Sequence, residues 1–549
     1  DSLSEIKLGD KAYFVPEFSD GDIISIAFDC GEFIAVVENG SFTFASELAD
    51  ILSDEKIEKI TCDAKLLYSW AFMRDVQING KISDIMIAGY ILNPSASDYS
   101  PVRMAQEYGA LCPEISEENE TALKAAALKG AWEKVIKQIE ENDQLPLLYD
   151  IEMPLSKVLS SMEVTGFLVD RESIRQYGAV LEEKINSLVS EIYDLAGEEF
   201  NINSPKQLGT ILFEKLQLPA KKKTKSGYST NADVLESLAP DYPIVSLILE
   251  YRTLAKLKST YCDGLQKCIA PDGRIHSTLN QTETKTGRIS STEPNLQNIP
   301  VRTPVGRELR KFFIAKEGCV LVDADYSQIE LRVLSDIAND ETMISAFNNG
   351  DDIHTITASQ VFNMPVEAVT PLMRSRAKAV NFGIVYGIGA FSLAHDIGVT
   401  RAEADKYIKG YLHHFSGVDS YMKNVIARAK EDGYVQTLFK RRRYLPELAA
   451  SNAMIRNFGE RVARNMPIQG TAADIIKIAM VRVYDRLEKE NLKAKLIMQI
   501  HDELIVEAPE KEQEQVQKIV REEMENACKM KVKLTADVHC GKSWYDAKG

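Results

Sequence analysis

The sequence has little of what marks several common protein classes. No apolar run approaches the roughly 18 residues that a membrane-spanning helix needs, and the chain starts with neither an initiator methionine nor a signal-peptide apolar region. We therefore expect a fragment or processed product without membrane contact. The eight cysteines include no C-x-x-C pair, which argues against a zinc site or a disulfide framework and favours reduced, cytoplasmic thiols. Neither G-x-G-x-x-G nor H-E-x-x-H occurs, so dinucleotide binding and zinc-protease chemistry are unsupported.

Charge is uneven along the 549 residues. The formal net charge is −16, and residues 1–150 carry 28 acidic and 12 basic side chains, whereas residues 151–549 carry 53 of each. Residues 401–500 are locally basic, with 19 Lys and Arg against 11 Asp and Glu. Because a polyanion needs a basic patch rather than a basic total, this pattern indicates an acidic N-terminal domain and a later region that could bind nucleic acid. The alternative is that the charge differs between domains for solubility alone.

The hydrophobic pattern predicts a multidomain chain of mixed α/β and α+β class. Four short strand patterns fill residues 11–45, and helical patterns follow from about 47 to 143. The segment VLVDADYSQIELRVLS (320–335) predicts a strand that runs into a helix. Two further apolar strands are predicted on either side of the dipeptide His501-Asp502.

Two carboxylates occupy positions that suit a metal site. Asp325 ends an apolar strand pattern, and Asp502 lies at the tip of the predicted hairpin. Acids that leave the ends of two fixed strands could hold a pair of Mg²⁺ ions about 3.5–4 Å apart. Aspartate is also common at strand ends and in turns for conformational reasons alone, and this alternative stays open for either residue taken singly.

A second pattern combines cations with aromatic rings. Arg374, Lys378, Phe382 and Tyr386 recur every four residues, so on a helix they share one broad face. That order suits a nucleoside triphosphate, with its phosphates on the two cations and its sugar and base against the two rings. An ordinary amphipathic helix, with buried rings and solvated cations, is the alternative.

Six segments, in order along the chain, resemble signature segments of the family A DNA polymerases. They are TGRISSTEPNLQNIP (286–300), DYSQIELR (325–332), DIHT (352–355), RSRAKAVNFGIVYG (374–387), PIQGTAADIIK (467–477) and QIHDEL (499–504). The resemblance covers essentially the whole chain and is closest to bacterial members that lack proofreading. It implies an RNase H-like, exonuclease-type N-terminal domain followed by a right-hand polymerase domain. The implied boundaries are 1–145 for a vestigial 3′–5′ exonuclease-like domain, 146–285 for the thumb, 286–340 and 451–549 for the two parts of the palm, and 341–450 for the fingers.

The resemblance also implies an activity, namely DNA-templated extension of a primer 3′-OH with dNTPs by two-metal-ion transfer and release of pyrophosphate. The catalytic residues would be Asp325, Asp502 and Lys378. Two Mg²⁺ ions, which Mn²⁺ could replace, would be held by Asp325, Asp502 and Tyr326, with Glu503 as an auxiliary residue. The implied dNTP contacts are Arg374, Lys378, Phe382, Tyr386, His354, Gln328 and Glu330, the last as a steric gate against ribonucleotides. The implied primer–template contacts are Arg288, Asn295, Gln297, Arg461, Asn465, Gln469 and His501, with the basic run 221–225 against phosphates.

One part of the family pattern is missing. Proofreading members carry an acid pair in the first strand, but here Val15 stands at the first acidic position and only Glu17 remains. Leu67 occupies a further acidic position, so we expect no proofreading. The resemblance implies a bacterial, nucleoid-associated, cytoplasmic monomer that acts in DNA replication and repair. Strand displacement is expected because no 5′ nuclease segment is present in the sequence.

Two other functions stay open. A single-subunit RNA polymerase would share the strand-end acids and the helix with Arg and Lys, but Glu330 and Phe382 argue against it. A non-catalytic DNA-binding relative would be expected to lack Asp325, Asp502 or Lys378, and all three are present.

Overall fold

The computed structural model describes residues 3–111, 119–220, 223–224, 227–299 and 304–548. The chain forms two compact units. The first unit comprises Asp1–Thr165, Thr278–Thr292 and Gly318–Cys540, and the second comprises Gly166–Ser277, Glu293–Glu317 and Gly541–Gly549. Most of the basic run 221–225, which we expect at DNA phosphates, lies outside the described residues. Within the described ranges, no helix is both long and apolar enough to cross a bilayer.

The first unit begins with a five-stranded sheet of order β3-β2-β1-β4-β5. Its strands are β1 (Lys11–Ser19), β2 (Asp22–Asp29), β3 (Ile34–Glu38), β4 (Glu58–Thr61) and β5 (Ile82–Asp84). The first three strands pair antiparallel, and β4 and β5 continue the sheet in parallel with β1. The helices of this region are α1 (Phe44–Ser53), α2 (Ala64–Met73), α3 (Ile85–Leu92), α4 (Pro101–Glu107), α5 (Glu120–Glu141) and α6 (Met153–Thr165).

Both faces of this sheet are buried at β1. Phe14 and Val15 are neighbours on β1 and both are buried, although consecutive strand residues point to opposite faces. Two predictions for this region are wrong. The fourth predicted strand, which ends at residue 45, is a turn that leads into α1, and β4 and β5 interrupt the stretch 47–143 that was expected to be helical. Both strands have four residues or fewer, which is too short for an alternating pattern to be recognised.

The second unit is mainly helical. Its longest helix, α7 (Arg171–Ala196), begins where the Asp170 side chain accepts the Ser173 N–H, and it ends at Gly197, whose φ of 72° suits glycine. The other helices are α8 (Pro205–Gly209), α9 (Ala232–Glu236), α10 (Pro243–Lys256), α11 (Gly264–Cys268), α12 (Pro304–Glu308) and a terminal turn at Trp544–Ala547. Two strand pairs complete the unit, β6 (Phe167–Leu168) with β9 (Arg274–Ile275) and β7 (Lys223–Thr224) with β8 (Gly227–Tyr228).

A four-stranded sheet of order β15-β16-β12-β17 carries the predicted acidic residues in the first unit. Its strands are β12 (Cys319–Tyr326), β15 (Lys495–Ile500), β16 (Glu503–Pro509) and β17 (Ala536–Gly541). The pairs β12–β16 and β15–β16 are antiparallel. Two hairpins lie outside this sheet, β10 (Thr278–Asn280) with β11 (Ser290–Thr292) and β13 (Tyr434–Gln436) with β14 (Arg442–Tyr444).

The helices of this part of the first unit share one core with the sheet. They are α13 (Ile329–Ile337), α14 (Glu341–Asn349), α15 (Ile353–Phe362), α16 (Pro371–Val385), α17 (Ala390–Ile397), α18 (Arg401–His414), α19 (Ser416–Asp432), α20 (Ala453–Lys489) and α21 (Gln513–Glu525). Leu334, Val380, Ile475 and Leu504 lie in a single cluster of buried side chains. The predicted strand-to-helix segment is therefore β12 followed by α13, and the predicted strand pair is β15 with β16.

Candidate active site

The ends of two paired strands bring Asp325 and Asp502 together. In the antiparallel register of β12 and β16, Asp325 lies opposite Glu503, and the Tyr326 N–H donates to the Asp502 carbonyl at 3.0 Å. His501, with a φ of 53°, completes the tight turn before β16. Both aspartates are half-buried. The two carboxylates thus leave neighbouring, mutually bonded backbone segments, and neither is sealed in the interior.

The pattern of cations and rings lies on α16, as the sequence predicts. The Thr370 hydroxyl accepts the Met373 N–H at the start of the helix, and Pro371 supplies its first turn. Lys378 is exposed and Phe382 is half-buried. Tyr386 directly follows the last helical residue.

Arg374 and His354 are fixed by partners that the sequence patterns missed. Arg374 Nε donates to an Asp352 carboxylate oxygen at 2.5 Å. Burial of the Asp352 carboxyl group favours a higher pKa, but this hydrogen bond outweighs burial and lowers the pKa of Asp352 to about 2. Asp352 also caps α15 by accepting the His354 N–H. The only available signal was its position in the DIHT segment, two residues before the histidine.

His354 is a buried neutral imidazole beside the cations. It is 2% exposed, its ring centroid lies 5.8 Å from that of Phe382, and its Nδ1 accepts the Asn381 side-chain N–H at 2.9 Å. Burial lowers the pKa of His354 to about 4; the Asp352 charge opposes this effect, and the charges of Arg374 and Lys378 add to it. The Asn381 bond leaves the proton on Nε2, so the ring is a neutral hydrogen-bond donor at pH 7. Asn381 is a buried amide between apolar neighbours, a signal that was available in the sequence.

Glu330, Arg288 and Tyr386 form a second cluster. Glu330 is buried on α13, and its Oε1 accepts from Arg288 Nη2 at 2.6 Å. Burial, with smaller effects of the Glu330 and Asp502 carboxylates, raises the pKa of the Tyr386 phenol to about 12. The Glu330 and Asp502 carboxylates therefore act electrostatically on Tyr386 at the end of α16. Gln328 begins α13 in the left-handed region, with a φ of 53°.

Several predicted DNA-contact residues lie on α20 beside the end of α16. The Asn465 side-chain N–H donates to the Val385 carbonyl at 3.2 Å, and Gly387 packs against the Arg461 side chain. Gln469 is half-buried one turn beyond Asn465.

The remaining predicted contacts are distributed over both units. His501 is exposed at the turn before β16. Asn295 and Gln297 belong to the second unit, where the Asn295 side chain accepts the Gln297 N–H at 3.1 Å.

The donor set suits a hard cation shared with a phosphate. Within the described ranges, no group of three or more His, Cys, Asp or Glu side chains is placed to hold a metal ion. Asp325 and Asp502 supply two carboxylates, and Mg²⁺ is typically held by one or two carboxylates, with water and substrate phosphates as the other ligands. The residues present therefore fit Mg²⁺ in a substrate complex.

The positions expected to have lost their acids lie in the N-terminal region. Val15 and Leu67 are 2% and 0% exposed and belong to the apolar core. Glu17 accepts hydrogen bonds from the Ser25 and Thr121 hydroxyls at 2.6 and 3.1 Å. Val15 and Leu67 are therefore structural core residues, and the Glu17 carboxylate is hydrogen-bonded to two hydroxyls.

A strand-end acid pair, a helix that carries two cations and a distinct five-stranded N-terminal sheet form the arrangement expected of a polymerase-type chain with an RNase H-like domain. The family model "DNA polymerase family A" matches residues 171–546, and "DNA polymerase I, ribonuclease H-like domain" matches residues 14–119. The chain belongs to DNA polymerase family A. The predicted family and fold class are confirmed.

Curated relatives and a solved structure agree with this assignment. The chain is 45% identical to DNA polymerase I of Geobacillus stearothermophilus over 100% of its own length and 65% of the relative. It is 47% identical to DNA polymerase I of Caldicellulosiruptor bescii over 91% of its length and 59% of the relative. The structure "POL domain of Pol1 from M. smegmatis complex with DNA primer-template and dNTP" is 37% identical with a TM-score of 0.93, and the match covers 100% of this chain and 98% of that one. The chain thus spans about three fifths of the length of these two curated relatives.

Proposed function

We propose that this protein is a DNA-templated DNA polymerase that adds dNTPs to a primer 3′-OH and releases pyrophosphate, in DNA replication and repair. The observation that carries the proposal is the bonding of β12 to β16, with Asp325 opposite Glu503 and the Tyr326 N–H on the Asp502 carbonyl. Family membership supports it, and so does a solved relative described with primer–template DNA and a dNTP. We propose a monomer.

Asp325, Asp502 and the Tyr326 carbonyl would hold two Mg²⁺ ions, with Glu503 as an auxiliary residue and Mn²⁺ as a replacement. When bound, these ions lower the pKa of the primer hydroxyl and neutralise charge on the triphosphate. Mutual repulsion of two carboxylates on adjacent strand ends is the physical reason for a cation there.

The protein's own donors would bind and orient the triphosphate. Arg374 uses Nε on Asp352, so its terminal Nη groups can donate to a phosphate in a fixed orientation. His354 would add a neutral Nε2–H donor. Lys378 is exposed on the same helix face and would give its proton to the departing pyrophosphate.

Nucleotide choice would depend on the cluster at Glu330. A buried carboxylate held by Arg288 gives a rigid wall under the sugar that leaves no room for a 2′-OH. Phe382 and Tyr386 would pack against the sugar and base, with Gln328 nearby.

The primer–template contacts would be Arg288, Asn295, Gln297, Arg461, Asn465, Gln469 and His501. Arg, Asn and Gln can donate to the minor-groove acceptors that all correct base pairs present alike, which checks pair shape without reading sequence. Asn465 also joins α20 to α16, so we give it a packing role in addition.

We further propose that proofreading is inactive. A two-metal nuclease needs converging carboxylates, and Val15 and Leu67 are buried apolar residues. The hydroxyls on Glu17 favour a structural role for that residue.

The proposed activity is tested by primer extension with Asp325→Asn and Asp502→Asn. Each variant should lose more than about 100-fold in rate, because even outer-shell partners of metal ligands contribute about 10–100-fold. DNA binding should survive. The control is Asp336→Asn, which removes a carboxylate that accepts the Lys531 N–H. Near-normal extension by either site variant, or extension with rNTPs in preference to dNTPs, refutes the proposal.

A further inference from the structure

The loop that carries Arg288 is held by the RNase H-like region. This loop, residues 281–289, joins β10 to β11 in the first unit. We propose that Tyr90, on α3 of the RNase H-like region, is a positioning residue for nucleotide selection, because its hydroxyl fixes the loop that presents Arg288 to Glu330. This inference rests on the proposed function, since it concerns the nucleotide that Glu330 would select.

A chain of short hydrogen bonds leads from Tyr90 to Glu330. The Tyr90 hydroxyl donates to the Thr284 carbonyl at 2.6 Å. The Thr284 hydroxyl donates to the Arg288 carbonyl, also at 2.6 Å, and Arg288 Nη2 donates to Glu330 at 2.6 Å. Tyr90 is fully buried, so its hydroxyl is held in place by the surrounding core, and its removal takes this donor from the Thr284 carbonyl.

A buried arginine supports the same loop from a second direction. The Arg441 guanidinium lies 5.8 Å from the Tyr90 ring centroid, and its Nε donates to Asp474 of α20 at 2.8 Å. Gly287 has a φ of 88°, and a Cβ there would lie 2.5 Å from Arg441 Nε. The backbone next to Arg288 is therefore pressed against a side chain that is itself fixed, and Tyr90 packs on that side chain.

The start of the loop is anchored as well. The Gln281 side chain donates to the Glu152 carbonyl at 2.8 Å and to its carboxylate at 2.6 Å. With Gln281 and Gly287 held, Thr284 is the middle anchor, and Tyr90 supplies its contact. Loss of that contact would free the middle of the loop and loosen the Arg288–Glu330 pair, which would let the gate accept a 2′-OH more often.

The test compares Tyr90→Phe with Tyr99→Phe. Tyr99 is a matched control, since it is also buried, its ring contacts the Tyr90 ring, and its hydroxyl donates to the Asn93 carbonyl within the same region. Both variants lose one buried hydroxyl, but only Tyr90→Phe touches the loop. In Tyr90→Phe the ratio of dNTP to rNTP insertion efficiency should fall roughly fivefold, the worth of one neutral hydrogen bond. Hydrogen exchange of peptide 281–289 should rise, and Tyr99→Phe should match wild type in both measurements.

A background variant separates positioning from general destabilisation. In Glu330→Ala the gate is already removed, so adding Tyr90→Phe should leave the insertion ratio unchanged. Three outcomes would overturn the role of Tyr90. The insertion ratio could be unchanged in Tyr90→Phe alone, it could fall equally in Tyr99→Phe, or it could fall further when Tyr90→Phe is added to Glu330→Ala. If wild type inserts no dNTP, the proposed function itself is refuted. If wild type inserts dNTPs and Tyr90→Phe has the same insertion ratio as wild type, only this inference is refuted.

Discussion

At the scale of single residues, two of the groups that would face the triphosphate are oriented by neighbouring side chains. Asp352 holds Arg374, and Asn381 holds His354. A donor fixed in this way loses less conformational entropy when it meets a phosphate. The orientation of these side chains before substrate arrives is thus part of what the fold contributes to the proposed chemistry.

The buried histidine makes stability depend on pH in a definite direction. Because burial lowers the pKa of His354 to about 4 from an ordinary 6.5, the folded state binds its proton less readily than the unfolded state. Its contribution, roughly 3 kcal/mol at most, is present above pH 6.5 and is lost as the pH falls towards 4. We expect the difference in free energy of urea unfolding between wild type and His354→Gln to become less favourable to wild type between pH 7.5 and pH 4.5.

The control for this measurement is His395→Gln, since the His395 side chain is 89% exposed. This variant should keep the pH dependence of wild type. The same pH dependence in His354→Gln as in wild type would contradict the assignment of a buried neutral ring.

The buried gate residue gives a second prediction at this scale. If Glu330 forms the proposed wall under the sugar, its replacement by alanine removes that wall, so rNTP insertion relative to dNTP insertion should rise by at least roughly tenfold. Single-nucleotide insertion with matched dNTP and rNTP measures it. Glu512→Ala is the control, because Glu512 is similarly buried but accepts the backbone N–H groups of Lys493 and Ala494. Equal discrimination in Glu330→Ala and wild type would exclude the gate.

The residues that sequence patterns found and those they missed differ in a simple way. Arg374 and Lys378 belong to a four-residue spacing that is visible locally, and Asp325 and Asp502 end recognisable apolar strands. Asp352 lies 22 positions before its partner, and such a pairing exists only once α15 and α16 have packed. Local spacing therefore predicts which side chains can do chemistry but not which neighbours hold them.

At the scale of elements, a buried ionic network joins three parts of the first unit. Glu152 pairs with Arg441, which follows the turn after β13, and with Lys477 of α20, the latter at 2.8 Å. Asp474 of α20 accepts from Arg441 as well. Burial opposes ionisation of Glu152, but Lys477 and then Arg441 lower the pKa of its carboxyl group to about 2. The network fixes α20, the helix that carries three of the proposed DNA contacts.

Removal of the shared carboxylate should therefore be costly. Glu152→Gln leaves the charges of Arg441 and Lys477 buried with less compensation, which costs about 3–5 kcal/mol for one broken partner. Urea unfolding at pH 7 measures the loss. Asp150→Asn, two residues away and exposed, should stay within about 0.5 kcal/mol of wild type. Equal losses of unfolding free energy in the two variants would contradict the stabilising role of the network.

Elements were predictable where their pattern was long. The pair β15–β16 and the passage from β12 into α13 follow from strands of six residues or more, each with at least three consecutive apolar residues. The sequence patterns do not predict β4 and β5, because the pairing of β4 with β1 and of β5 with β4, rather than their own four and three residues, makes them strands. Tertiary pairing decides such segments, and sequence windows do not contain it.

At the scale of the whole molecule, the excess of negative charge lies in the same region as the buried apolar residues Val15 and Leu67. The first 150 residues carry the entire excess of acidic side chains, and the core there includes Val15 and Leu67. An acidic surface repels the phosphate backbone of DNA, which agrees with a region that supports the polymerase rather than acting on a strand.

A primer with a labelled, mismatched 3′ end tests this view. With Mg²⁺ and no dNTPs, we expect the wild-type protein to leave the label in place. The Glu17→Gln variant should also leave the label in place. An added 3′ exonuclease that removes the label serves as the positive control. Degradation by wild type that disappears in Glu17→Gln would establish a nuclease site in this region.

The direct pairing of β12 with β16 makes the distance along the chain between the two aspartates unimportant for their geometry. All of residues 327–501 can be regarded as one insertion between neighbouring strands. New termini engineered into one of its surface loops, as in a circular permutant or a two-fragment enzyme, would leave both carboxylates on the same scaffold. Reassembly of β12 with β16, together with the helices that share their core, would then restore the acidic pair.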